Sequence, residues 1–251
     1  MIDVTIKEGI AVATLQYGKV NALDIEFCDA IAARFAELRA SGARGVVLTG
    51  QGKCFSAGVD LVRLSKGGAD YIRRFLPALH RLYEAVFFHP QPVVAAINGH
   101  AIAGGAVLAA CADRRIMARG VGRIGVTELL VGVPFPALAF EVLRFALPPR
   151  FLAEAVLSGA TYDSDAALAR GWVDELVELG ELMEDAMAVA VELAALSPAA
   201  FTQTKMQLRE PARERLKASG KATDQAATDT WCAPETLGYI RAYVQRTLKK
   251  S

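Results

Sequence analysis

Three short stretches hold the residue types that could do chemistry. The first, Asn98 to Asp113, reads N-G-H-A-I-A-G-G-A-V-L-A-A-C-A-D and offers backbone rather than side chains. Glycines placed just ahead of a helix, here Gly104 and Gly105, let a ligand reach the unpaired N–H groups of the first turn, where the helix dipole also favours negative charge. A tight turn that brings strand and helix close together explains the same glycines. The second stretch, F-S-A-G-V-D-L at 55–61, is another small-residue loop entering a helix, and the N–H of Val59 could point outward from it. Two N–H groups from separate loops, Val59 and Gly104, converging on one point would form an oxyanion hole, worth about a hundred- to a thousandfold in rate per donor.

The third stretch, T-E-L-L-V-G-V-P at 127–134, sets one carboxylate, Glu128, in an apolar run. Among Val126, Leu129, Leu130 and Val131 its pKa would rise by desolvation, which suits a general base working near neutral pH. Capping of a turn, or a surface pair with Arg123, is the alternative.

Other catalytic patterns are absent. Ser56 has no G-x-S-x-G elbow around it, and neither His80 nor His89 is spaced as a triad partner. Neither A-G-G-A nor S-A-G-V-D supplies G-x-G-x-x-G after a first strand, which argues against a dinucleotide site. His100 reads as a loop histidine bonded to backbone, and Asp60 as a helix N-cap. Arg63 and Lys66 either meet ligand phosphates or face solvent.

The elements that would position these stretches follow from pattern and punctuation. Ile2–Ile6 and Ile10–Leu15 read as a hairpin through Glu8–Gly9. A helix capped by Asp24 carries Phe27, Ile31, Phe35 and Leu38 on one face. Gly45–Thr49 is a β-branched run of the kind buried on both faces. Tyr71–Phe88 is amphipathic and is stopped by Pro90 and Pro92, which lead into strand Val93–Ile97. Further strands are expected at 114–117, 121–125 and 172–179. Helices are expected at 136–145, 149–158, 164–170, 181–196, 198–208 and 234–248. Strand–helix alternation with a glycine-containing loop after each strand is α/β grammar, and it places the loops on one edge.

The whole chain sets bounds on function. Its 251 residues, 53% hydrophobic and 22% charged, suffice for one substantial core, and a net charge of +1 with no long basic run leaves no footprint for nucleic acid. Four scattered cysteines form no CxxC pair or metal-ligand cluster, which fits a reducing compartment. Asp3, Lys7 and Glu8 interrupt the start of the chain, so it does not resemble a targeting peptide, and the apolar windows near 93–112 are too broken to span a bilayer. The expected location is cytoplasmic, with no membrane partner.

F-S-A-G-V-D-L, N-G-H-A-I-A-G-G-A and I-G-V-T-E-L-L-V-G-V-P, in that order and preceded by K-V-N-A-L-D, resemble the crotonase superfamily, also called the enoyl-CoA hydratase/isomerase family. The resemblance runs from about residue 5 to about 180. It implies an α/β spiral of repeated strand–strand–helix units over 1–195, an acyl-CoA-binding core. A helical C-terminal region, 196–251, would then support a homotrimer or a dimer of trimers. It also implies that Val59 and Gly104 donate to a thioester oxygen, that Ala22, Leu23, Ala57, Gly58, Val59, Asp60 and Leu61 line the substrate, and that coenzyme A enters only as part of that substrate, with no metal or redox cofactor.

One departure decides between activities. Hydratases of the family use two glutamates, and the first place is occupied here by Val107, or by its neighbours Ala106 and Leu108, none of which can move a proton. The second position is Glu128. A lone glutamate resembles the monofunctional Δ3,Δ2-enoyl-CoA isomerases of fatty acid metabolism, in which one base carries a proton between two carbons. Hydration, thioester hydrolysis and a catalytically weak acyl-CoA binder are the alternatives.

Overall fold

Glu8 and Gly9 both adopt positive φ, 55° and 78°. Two such residues make a turn whose twist matches a hairpin, and they join β1 (Ile2–Lys7) to β2 (Ile10–Leu15) in antiparallel register, as the sequence predicts. Asp24 then accepts the N–H of Phe27 and starts α1 (Ile25–Ala40), which buries Phe27, Cys28, Ile31, Phe35 and Leu38. The computed structural model describes residues 1–247.

From here the chain repeats one motif. β3 (Gly45–Gly50) passes to β4 (Cys54–Ser56) and α2 (Leu61–Phe87). β5 (Val93–Ile97) passes to β6 (His100–Ile102) and α3 (Gly104–Ala110). β7 (Arg114–Ala118) passes to β8 (Ile124–Gly125) and α4 (Glu128–Val131). The first strands of these units join a six-stranded sheet ordered β1-β2-β3-β5-β7-β9, where β9 is Glu175–Val177, parallel except for the β1–β2 pair, and the second strands form a parallel three-stranded sheet, β4-β6-β8. The corners between the sheets stack so tightly that a Cβ on Gly99 would lie 2.0 Å from the Lys53 carbonyl oxygen, and one on Gly122 2.3 Å from the Gly99 carbonyl carbon. Asn98 ties two corners together by accepting from Gly50 N–H and donating to the Gly52 carbonyl. The fold is the α/β spiral of strand–strand–helix units implied by the resemblance.

The remaining elements are α5 (Ala137–Ala146), α6 (Pro149–Ser158), α7 (Ser164–Ala169), β9 (Glu175–Val177), α8 (Leu182–Ala194) and α9 (Pro198–Arg215). A π-helical turn over Leu216–Gly220 leads to α10 (Lys221–Cys232), and α11 (Pro234–Thr247) follows. The helix expected to end at Leu208 continues through Pro211, and the unassigned residues to 232 are helical. Proline costs that helix one hydrogen bond, but tertiary anchors hold it: Lys205 Nζ and Arg209 Nη2 reach the two Asp113 oxygens at 2.6 and 2.7 Å, and the Arg209 guanidinium lies over the Phe87 ring. The strand expected at 121–125 shrinks to Ile124–Gly125, while β4 and β6, three residues each, are additional strands too short to carry a periodic signal. Leu248, the expected end of the last helix, lies outside the described residues. The C-terminal helices pack on their own chain, α10 and α11 against α2.

Candidate active site

The K-V-N-A-L-D and F-S-A-G-V-D-L segments are bound into one unit. Leu23 and Val59 form a parallel bridge in which Leu23 N–H donates to the Gly58 carbonyl at 2.7 Å and Asp60 N–H to the Leu23 carbonyl at 2.9 Å. Asn21 donates to the Cys54 and Phe55 carbonyls, and Ser56 Oγ donates to the Asn21 carbonyl at 2.7 Å. Ala22, Leu23 and Ala57 through Leu61 are therefore brought together in one unit. In a parallel bridge alternate amides face opposite ways, and the N–H of Val59 points away from Leu23 with no partner among the described residues. Asp60 accepts from Arg63 N–H at 2.9 Å and caps α2.

The second loop meets the first at its glycine. A Cβ on Gly58 would fall 3.0 Å from the amide nitrogen of Gly104, and one on Gly104 would lie 3.7 Å from Val59 Cγ2 and 3.2 Å from Leu23 Cδ1. Gly104 opens α3 behind Ala103, whose φ of 52° is a conformation that L side chains rarely adopt. The Gly104 N–H, like that of Val59, has no acceptor among the described residues. Two free amide donors on touching loops are the geometry of an anion-stabilising corner. α3 itself is buried throughout, Val107 included, and has no titratable side chain.

Glu128 begins α4, buried at 9% exposure, and its Oε2 has no hydrogen-bond partner among the described residues. Burial pushes its carboxyl up to about 7, against a smaller opposing pull from the backbone N–H groups of Glu128 and Thr127. Leu129 and Leu130, expected to wall it in, are exposed at 43% and 54%, because a one-turn helix can turn only part of its circumference inward. Arg123 is occupied with Thr161, so the surface pair with Glu128 does not form. Among the described residues three carboxylates of Asp and Glu are buried. Asp24 is paired with Arg63 and Glu141 with Arg144 and Arg215, whereas Glu128 has no cation among the described residues.

The structure adds residues that the motifs did not suggest. Tyr83, fully buried on α2, donates from its hydroxyl to the Gly104 carbonyl at 3.0 Å, and burial and then the Glu128 charge hold its phenol well above its ordinary pKa. A tyrosine beside Leu82 on the apolar face of a helix was the available signal. Trp231 Nε1–H donates to the Pro134 carbonyl at 2.8 Å, Asp224 accepts from Ala137 N–H at 2.8 Å, and Tyr239 packs against Gly132, so α10 and α11 hold the loop that follows Glu128. Arg63 is engaged with Asp24 and Glu26, and His100 Nδ1 accepts from Arg123 N–H. A cavity of 1350 Å³ lined by Phe35, His80, His89 and Met206 opens on the other face of α2 and touches none of Val59, Gly104 and Glu128.

The family model described as enoyl-CoA hydratase/isomerase matches residues 5–245. A Thermus thermophilus protein provisionally named an enoyl-CoA hydratase is 38% identical over 167 residues, 65% of this chain and 65% of that one, so the match spans just under two thirds of its length. Among solved structures, the human mitochondrial Δ3-Δ2-enoyl-CoA isomerase superposes with a TM-score of 0.94 at 25% identity, covering 100% of this chain and 99% of the other. An apo enoyl-CoA isomerase from Mycobacterium tuberculosis superposes at 0.78 with 31% identity, covering 91% and 96%.

Proposed function

The chain belongs to the enoyl-CoA hydratase/isomerase family, and on that premise we propose that it is an isomerase, moving the double bond of a 3-enoyl-CoA to the 2-position with Glu128 as its single base. The observation that carries this reading is the solitary state of Glu128: a buried carboxylate with no cation among the described residues, in a fold whose α3 contributes no acid. A base poised near neutrality can both take a proton and give it back.

In the proposed cycle Glu128 removes a C2 proton, whose electron pair passes into the thioester. The resulting dienolate oxygen is stabilised by the free N–H groups of Val59 and Gly104. The proton then returns from Glu128 to C4, the double bond settles between C2 and C3, and the enzyme is regenerated. No water is consumed and no electrons are exchanged, so the cycle uses no redox group and no metal. The segments around Ala22–Leu23 and Ala57–Leu61 are the proposed seat of the coenzyme A arm. A homotrimer and a cytoplasmic location complete the proposal.

The likeness to the human isomerase supports this reading. The name of the Thermus relative favours a second one, hydration, which needs another group to position water, and Val107 occupies the place of the family's first glutamate. Replacement of Glu128 by Gln tests the role of the base. Isomerisation should fall by about a thousandfold, the contribution of a positioned general base, while acyl-CoA binding persists; full activity in this variant would sink the assignment.

A further inference from the structure

We propose that Tyr83 is a positioning residue for the oxyanion-stabilising turn: its hydroxyl, bonded to the Gly104 carbonyl, holds the Ala103–Gly104 backbone so that the Gly104 N–H stays aimed at the thioester oxygen. The inference rests on the oxyanion role given above to Val59 and Gly104.

The turn needs holding. Ala103 takes φ 52° and ψ −124° without being glycine, and a residue kept in such a region persists only where its surroundings over-determine it. Backbone supplies part of that restraint: Ala103 N–H donates to the Gly125 carbonyl at 2.8 Å, and the Ala103 carbonyl accepts from Ala106 and Val107. Side chains supply one hydrogen bond to residues 103–105 among the described residues, that of Tyr83. Its oxygen also lies 2.9 Å from where a Cβ of Gly104 would stand, so it fills the flank that glycine leaves open. The phenol comes from the last turns of α2, where Leu79, Leu82 and Val86 are buried beside it, so the donor is fixed by the core and not by a loop.

A donor placed in advance costs no reorganisation when charge develops. An amide free to swing would lose that advantage while leaving ground-state contacts intact. Tyr83 is also held neutral by burial and by the nearby Glu128 charge, so it donates throughout the working pH range.

The test reads polarisation of the bound thioester directly. 2,4-Hexadienoyl-CoA is already fully conjugated, and its absorption moves to longer wavelength when hydrogen bonds draw charge onto the carbonyl oxygen. Wild-type protein should produce this red shift. Tyr83→Phe should reduce it by about half and lower kcat about tenfold, with KM and the dissociation constant within twofold and the melting temperature little changed. An unchanged red shift in Tyr83→Phe, whatever happens to kcat, overturns the inference and reduces Tyr83 to packing. Absence of a shift in the wild type instead overturns the oxyanion reading on which it rests. Should Tyr83→Phe fail to fold, 3,5-difluorotyrosine at position 83 keeps the shape and strengthens the donor. The shift should then increase, and a constant shift refutes the proposal.

Discussion

Trp231 and Pro134 are joined by a 2.8 Å hydrogen bond from the indole Nε1–H to the proline carbonyl, although 97 residues separate them. Through it the helical C-terminal region grips the loop that follows α4 and Glu128. Trp231→Phe keeps an aromatic ring of smaller volume and leaves the part-buried Pro134 carbonyl without its donor, a loss of about 1–3 kcal/mol. The expected result is a lower melting temperature and a several-fold loss of kcat, measured on the same preparation. Unaltered kcat would mean that the loop holds its position without the bond.

A second expectation concerns pH. The base must be ionised to accept a proton, and burial raises its pKa to about 7. The logarithm of kcat/KM should therefore climb with unit slope below pH 7 and level off above it. A rising limb near the ordinary glutamate value of 4.5 would place the working carboxylate in water.

The same shift has a consequence for stability, with a definite sign. Because the folded-state pKa is raised above its ordinary value of 4.5, the folded chain binds the proton more tightly than the unfolded chain. This contribution is fully present below pH 4.5 and is lost as pH rises through 7. Glu128→Gln removes the cost of ionisation, so the variant should be more stable than wild type by about 3 kcal/mol at pH 8 and equal to it near pH 4. Urea unfolding at the two pH values measures the difference.

Gly104 has a tight neighbourhood. An added Cβ would meet Tyr83 Oη at 2.9 Å and Leu23 Cδ1 at 3.2 Å, so Gly104→Ala must displace either the hydroxyl or the loop. A loss of about a hundredfold in kcat/KM is expected, the scale for a misaligned oxyanion donor, with the fold retained. Gly58→Ala should instead destabilise the fold, since its φ is +78° and its Cβ would come 2.5 Å from the Ile102 carbonyl oxygen. Thermal melting beside steady-state kinetics separates the two effects.

How much of this was legible in sequence depends on the range of the interaction. The hairpin at Glu8–Gly9, the Asp24 and Asp60 caps and the buried β5 run depend on residues close in the chain, and pattern found them. The two small-residue loops announced themselves by composition, and their convergence at Gly58 and Gly104 follows from the order of the spiral. Tyr83 and Trp231 did not announce themselves, because each acts on a backbone carbonyl 21 or 97 residues away and no local spacing encodes such a partner. The continuation of α9 through Pro211 was hidden for a similar reason. Proline signals a stop, and the ion pairs of Lys205 and Arg209 with Asp113, which hold the helix in place, are visible only once the chain is folded.

If one glutamate moves one proton within a single substrate, the products formed from two substrates show it. Purified protein is supplied separately with a 3-enoyl-CoA and with the matching 2-enoyl-CoA, and the acyl-CoA products of both reactions are resolved. The 3-enoyl-CoA should become 2-enoyl-CoA, with negligible 3-hydroxyacyl-CoA formed from either substrate. Rapid formation of 3-hydroxyacyl-CoA from the 2-enoyl-CoA, without isomerisation of the 3-enoyl-CoA, would contradict it.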